Sequence, residues 1–131
     1  MALANRSGER LIQALHRERN PIRVARILVD EFGLEQRQLA VGCGVSESSV
    51  SEWLSGPETR SPHQRDRDLE IAYVVVAVLS TRSISVELLR EWLVSPMDYF
   101  LDDAPLAAIA AGRCREVAEI GKDFAMGKVP M

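Results

Sequence analysis

The chain has 131 residues, is 47% apolar but only 5% aromatic, and carries two cysteines and a formal net charge of −3. That length suits one compact domain or two very small helical ones. Its longest apolar run, the nine residues Ile71 to Leu79, excludes a membrane span, and Cys43 and Cys114 fit no metal or redox spacing.

Asn5 to Arg19 reads as a helix with Leu11, Ile12 and Leu15 on one side. Pro21 opens a second helix at the favourable first position, with Val24, Ile27, Leu28 and Phe32 at helical spacing and Gly33 as its stop. From Gln36 to Trp53 the sequence QRQLAVGCGVSESSVSEW meets the demands of a helix-turn-helix. Leu39 anchors the first helix, and small Ala40 lets the second cross close to it. Gly44 suits the positive φ of the turn, and Val45 fills the space beneath it. Ser46 suits the N-cap of the second helix. Val50, Trp53 and Leu54 share its inner face, and Gly56-Pro57 ends it.

Residues 56–66 form a polar linker with two prolines. Leu69 to Leu79 is apolar and β-branched, and periodicity alone does not separate a buried helix from a strand there. A helix is expected, because no second strand is available to pair with it. Ser85 suits the N-cap of a helix from Val86 to Val94 with an apolar face of Leu88, Leu89, Trp92 and Leu93. Ser95-Pro96 opens a short turn or helix through Leu101. Asp103 is expected to cap a helix that starts near Pro105 and ends before Gly112. A last helix runs from Arg113 to Met126 on Val117, Ile120 and Phe124, followed by a frayed tail from Gly127 to Met131.

The expected fold is therefore all-α. Its units are an N-terminal extension (1–20), a helix-turn-helix domain with a basic linker (21–67) and a second helical domain with a tail (68–131). Residues 1–67 hold ten arginines against nine acidic residues, whereas 68–131 hold six basic residues against ten acidic ones. Nucleic-acid contact is thus expected from the first half and protein contact from the second. The first twenty residues contain four arginines and no long apolar run. No secretory signal is read there, and a cytoplasmic protein with reduced thiols, Cys43 buried, is expected.

Candidate DNA contacts are Gln36 and Gln38 on the first helix of the pair and Ser46, Glu47, Ser48, Ser51 and Glu52 on the second. Serine bonds several base edges, and a glutamate can accept from the cytosine amino group. The alternative for the two glutamates is a helix N-terminus for Glu47 and a solvated face for Glu52. Arg60, His63, Arg65 and Arg67 in the linker are the better phosphate candidates. Enzyme chemistry finds little support. His16 and His63 sit in polar settings, and no metal motif or phosphate-binding glycine loop is present. No cofactor or metal is expected. The apolar stripes Ile71–Leu79 and Leu88/Leu89/Trp92/Leu93 suggest more apolar surface than one small domain covers, hence a homodimer or larger oligomer.

Asp68 to Leu79 (DLEIAYVVVAVL) and Glu91 to Ile120 (EWLVSPMDYFLDDAPLAAIAAGRCREVAEI) carry a more specific pattern. A tryptophan is followed by Ser/Pro, then Leu, Pro and Leu, then Gly and Val, here Trp92, Pro96, Leu101, Pro105, Leu106, Gly112 and Val117. Together with the helix-turn-helix, this chain resembles the Xre/MbcA/ParS antitoxins that pair with RES-domain toxins, over about residues 21–127. The loop before Pro105 departs from that pattern, since Asp103 or Ala104 stands where a glycine is common. The first twenty residues have no counterpart in it.

The resemblance implies a binding protein, not an enzyme. It would neutralise an NAD-degrading RES toxin by covering its active site, and autoregulate its operon by binding operator DNA. The acidic recognition helix implies weak DNA binding by the free protein. On this reading the toxin-binding residues are Trp92, Pro96, Leu101 and Pro105, with the tail Phe124, Met126, Gly127, Lys128, Val129, Pro130 and Met131 approaching the NAD cleft. The alternative is a stand-alone dimeric helix-turn-helix repressor.

Overall fold

The computed structural model describes residues 2–56 and 66–129, with side chains from Gly8 onward. Eight α-helices run through the described residues: α1 (Ala2–Arg17), α2 (Pro21–Asp30), α3 (Gln36–Cys43), α4 (Glu47–Ser55), α5 (Arg67–Leu79), α6 (Val86–Leu93), α7 (Pro105–Ala110) and α8 (Cys114–Ala125). A 3-10 turn, Asp98–Phe100, lies between α6 and α7. Among the described residues there is no strand, only an isolated antiparallel bridge between Met97 and Asp103.

Local signals set most helix starts. Asn20 Oδ1 accepts from the amides of Ile22 (2.9 Å) and Arg23 (3.3 Å), ahead of Pro21 at the first position of α2. Ser46 Oγ accepts from the Ser49 amide (3.2 Å) and Ser85 Oγ from the Leu88 amide (3.1 Å). Asp103 is not the cap of α7. That position falls to Ala104, which has no capping side chain. The Asp103 carbonyl instead accepts from the Met97 amide (3.1 Å), which holds its backbone in the bridge.

α5 lies at the centre. It packs against α1, α2, α3, α6, α7 and α8. Ile71, Ala72, Val74, Val75, Val78 and Leu79 are all buried, whereas Tyr73 is 52% exposed. A helix apolar on nearly all sides must be covered on nearly all sides. The buried residues of both halves accordingly form one contiguous cluster, from Leu11 to Ala118.

On α6 the inner face is Val86, Leu89, Trp92 and Leu93, while Leu88, expected on that face, is 39% exposed. At about 100° per residue, Leu88 turns away from the stripe that Leu89 and Trp92 share. The stripes expected to exceed what one chain can cover are, apart from Leu88, Tyr73 and the partly buried Val76 and Ala77, buried within this chain. They therefore leave little surface for a second copy, and that ground for an oligomer falls away.

α8 closes on α5 and α6 through Gly121. A Cβ there would meet Val78 Cγ2 at 2.7 Å and two ring carbons of Trp92 at 3.2 and 3.3 Å. One turn on, Phe124 stacks on Trp92 with ring centroids 5.7 Å apart and planes 13° apart. Gly42 gives α3 a similar approach to Ile71 Cδ1 (2.6 Å from the same construction) and Leu106 Cδ2 (3.0 Å).

Gly121→Ala therefore reverses the usual gain of a glycine-to-alanine change in a helix. Urea unfolding should show a loss of about 1–3 kcal/mol, because a β-branched valine and a packed indole cannot step aside. Gly42→Ala should lose less, since it meets the far ends of Ile71 and Leu106. Equal stability of Gly121→Ala and the parent would overturn the close-packing account.

Candidate functional site

The first exposed face is the α3–turn–α4 unit. Gly44 adopts φ +70°, its amide donates to Val41 O (3.2 Å), and the Val45 amide donates to Ala40 O (3.0 Å). Leu39, Ala40, Val50 and Trp53 are buried beneath the turn. The far end of α4 is held by Arg26 of α2, whose Nη2 donates to the carbonyls of Leu54 (3.2 Å) and Gly56 (3.0 Å). A guanidinium on the last carbonyls satisfies orphan acceptors and meets the negative end of the helix. Sequence reasoning missed Arg26, since its targets lie 28 and 30 residues away.

This arrangement leaves Ser46, Glu47, Ser48, Ser51 and Glu52 exposed. Gln36 and Gln38 are half-buried, and Gln38 Oε1 accepts from the Glu35 amide (2.9 Å). Arg67 pairs with Glu70 (2.5 Å), and its side chain is only 13% exposed. Arg60, His63 and Arg65 lie outside the described residues. The exposed side of α4 thus offers hydroxyls and carboxylates to a ligand. It suits base edges better than phosphates, which its two glutamates repel.

The second face is formed by the α6–α7 loop and the end of α8. Trp92 is fully buried and Pro105 is buried, so both hold this face up from inside and neither presents a side chain to a partner. Pro96 is exposed and Leu101 is 87% exposed. The left-handed residues of the loop are Leu101 (φ +55°) and Asp102 (φ +68°). The positions where glycine would be free of strain are thus these two, not Asp103 or Ala104.

Phe124 is half-buried on Trp92, and Met126 is 47% exposed. The tail is more ordered than expected at its start. Gly127 (φ +74°) donates to Phe124 O (3.0 Å) and the Lys128 amide donates to Asp123 O (2.8 Å). This closes α8 with a paired C-terminal cap. Lys128 is exposed and Val129 half-buried, while Pro130 and Met131 lie outside the described residues.

Between α5 and the start of α8 lies an open groove of about 690 Å³, lined by Leu69, Glu70, Tyr73 and residues 112–116, which no sequence motif announced. Among the described residues no group of His, Cys, Asp and Glu is placed to hold a metal ion. No helix there is long and apolar enough to cross a membrane.

No known protein family's pattern and no curated protein matches this chain. Among solved structures it is similar to a chain of the M. tuberculosis MbcT-MbcA toxin-antitoxin complex, at 20% identity and a TM-score of 0.62, over 83% of this chain and 96% of that one. The likeness is one of fold, and its all-helical architecture agrees with the MbcA-like resemblance carried by Trp92 to Val117.

Two outcomes follow. Arg26→Ala should cost about 1.5–3 kcal/mol, the range for hydrogen bonds made by a charged donor, with hydrogen exchange in α4 accelerated beyond that in α8. Exchange unchanged in α4 would show that Arg26 does not hold the helix end. Cys43, buried at the end of α3, has its thiol pushed from 9.0 to about 12, first by burial and then by the Asp68 carboxylate. A raised pKa makes this contribution to stability complete below about pH 9, and it is lost as pH rises from there toward about 12. Urea midpoints should therefore fall more steeply between about pH 9 and 11, above the free-thiol value and below the buried one, in the parent than in Cys43→Ala. Parallel profiles would contradict this.

Proposed function

We propose that this chain is an antitoxin that binds a RES-domain, NAD-degrading toxin and blocks its active site. The observation that carries this reading is the fold shared along most of the chain with a member of a toxin-antitoxin complex. The residue pattern from Trp92 to Val117 supports it. Labour divides near residue 67. The second half covers the toxin with surface residues such as Pro96, Leu101 and Met126, while Trp92, Pro105 and Phe124 set that surface in place from below. The residues after Gly127 approach the NAD cleft.

Operator binding is a second, weaker activity of the α3–turn–α4 unit in the cytoplasm, exercised as a homodimer or larger oligomer because two-fold repressors set paired recognition helices on two half-sites. Its weakness follows from the glutamates on α4 and from the pairing of Arg67 with Glu70, which leaves phosphate contact to Arg60 and Arg65.

The test is co-expression with a RES-domain toxin, taken from the neighbouring gene where that gene encodes one. The full chain should co-purify with the toxin and restore cellular NAD. Ending the chain at Ala125 keeps α8 and the Trp92–Phe124 stack, so its thermal midpoint should stay within a few degrees of the parent. The shortened chain should bind more weakly, each lost apolar side chain removing up to about 1.5–3 kcal/mol, and should fail to restore NAD. Full protection by the shortened chain would assign occlusion to the domain body. A full chain that neither co-purifies nor protects would overturn the antitoxin reading.

A further inference from the structure

The α6–α7 loop holds a leucine out in water on a backbone that disfavours it. Leu101 and Asp102 are both left-handed, a region where any side chain beyond hydrogen meets steric opposition. The shape is enforced from beneath. The Asp102 amide donates to Met97 O (2.9 Å), and the Met97 amide donates to Asp103 O (3.1 Å). Met97 and Phe100 are buried, and the Arg113 guanidinium lies 5.2 Å above the Phe100 ring. The result is a stiff turn with Leu101 at its apex, 87% exposed. Glycine at 101 would make the same turn without strain, and the leucine side chain adds nothing to this chain's own core.

We infer that Leu101 is the anchor through which the second half engages its toxin. It would seat in an apolar pocket whose rim carries lysine or arginine. A preorganised apolar side chain at the centre of a polar ring has the anatomy of an interface hot spot. The loop around it is acidic: residues 94–104 contain Asp98, Asp102 and Asp103, all exposed, and no cation, while the nearby Arg113 is paired with Glu116. A second copy is a poor seat. The groove between α5 and α8 sets Glu70 and Glu116 against Arg113 and Arg115, so an acidic apex gains no net attraction there. The inference rests on the antitoxin reading and names the residue and the partner chemistry within it.

The experiment measures binding of the full chain to the same purified RES-domain toxin. Leu101→Gly and Leu101→Asn both suit the left-handed position. Leu101→Gly should melt at or above the parent temperature, and both should bind about 10- to 100-fold more weakly, the equivalent of one buried leucine. Neutralising the ring (Asp98→Asn, Asp102→Asn, Asp103→Asn) should slow association and flatten its salt dependence, with dissociation little changed. If the parent binds and both Leu101 variants bind within threefold of it, the anchor is wrong and the antitoxin reading stands. If the parent does not bind, both fall. A homodimer of the toxin-free protein that Leu101→Gly dissolves would overturn the assignment in favour of a second copy.

Discussion

Every other element of this molecule depends on the burial of α5. Its sequence is rich in valine, which has no strong preference for a helix. An isolated thirteen-residue segment of this kind would gain little from its own hydrogen bonds. It is helical because six other helices cover it, and they have a common core because it is there. The α3–turn–α4 unit reaches α5 through α3, and the second half reaches it through α6, α7 and α8. The two candidate faces thus rest on one packing problem: α4 sits on α2 and α3, which pack on α5, whereas α6, α7 and α8 pack on α5 directly.

That shared core explains the contrast between the two faces. The outer side of α4 is polar and carries Glu47 and Glu52, with its geometry fixed by Gly44 at one end and Arg26 at the other. The α6–α7 loop carries its own negative charge but also an apolar apex. A surface for nucleic acid needs cations, and a surface for a protein needs apolar area that water does not already satisfy. Under the proposed function the second face would meet that need with rigidly placed residues, and the first would draw on Arg37 of α3, already paired with Glu35, and on arginines beyond its own two helices.

What the sequence made legible was whatever acts over four residues or fewer. Pro21, Gly44, Ser46 and Ser85 stand where their chemistry says, because a fixed φ, a positive φ or a hydroxyl cap is decided by immediate neighbours. Apolar spacing placed the buried sides of α2 and α4, whereas on α8 only Val117 of the three expected residues is buried, beside Ala118 and Gly121, with Ile120 and Phe124 half-buried. Leu88 was misread because a four-residue apolar cluster on a short helix does not say which flank faces inward. Asp103 was misread because its backbone is committed to Met97, a tertiary demand that outweighs capping preference. The candidate site was less legible than the fold. Arg26 and Arg90 each reach a carbonyl in another part of the chain, 28 and 58 residues away, and nothing local marks such contacts. Trp92 looks like a contact residue in a motif and turns out to be a strut.

Gly42 and Gly121 grip α5 at two points. One seat takes Ile71 and the other Val78, seven residues or about 10 Å along the axis. At neither point is there room for even one added methyl group without something moving. A helix seated this way resists sliding, because movement along its axis carries Ile71 and Val78 off their glycines toward neighbours that bear a Cβ. Mechanical communication between the two ends of the molecule is therefore confined to motion of the whole body, or to release of a seat. Under the proposed function, coupling between ligands on the two faces would take the form of a switch between discrete packings, not a gradual bend.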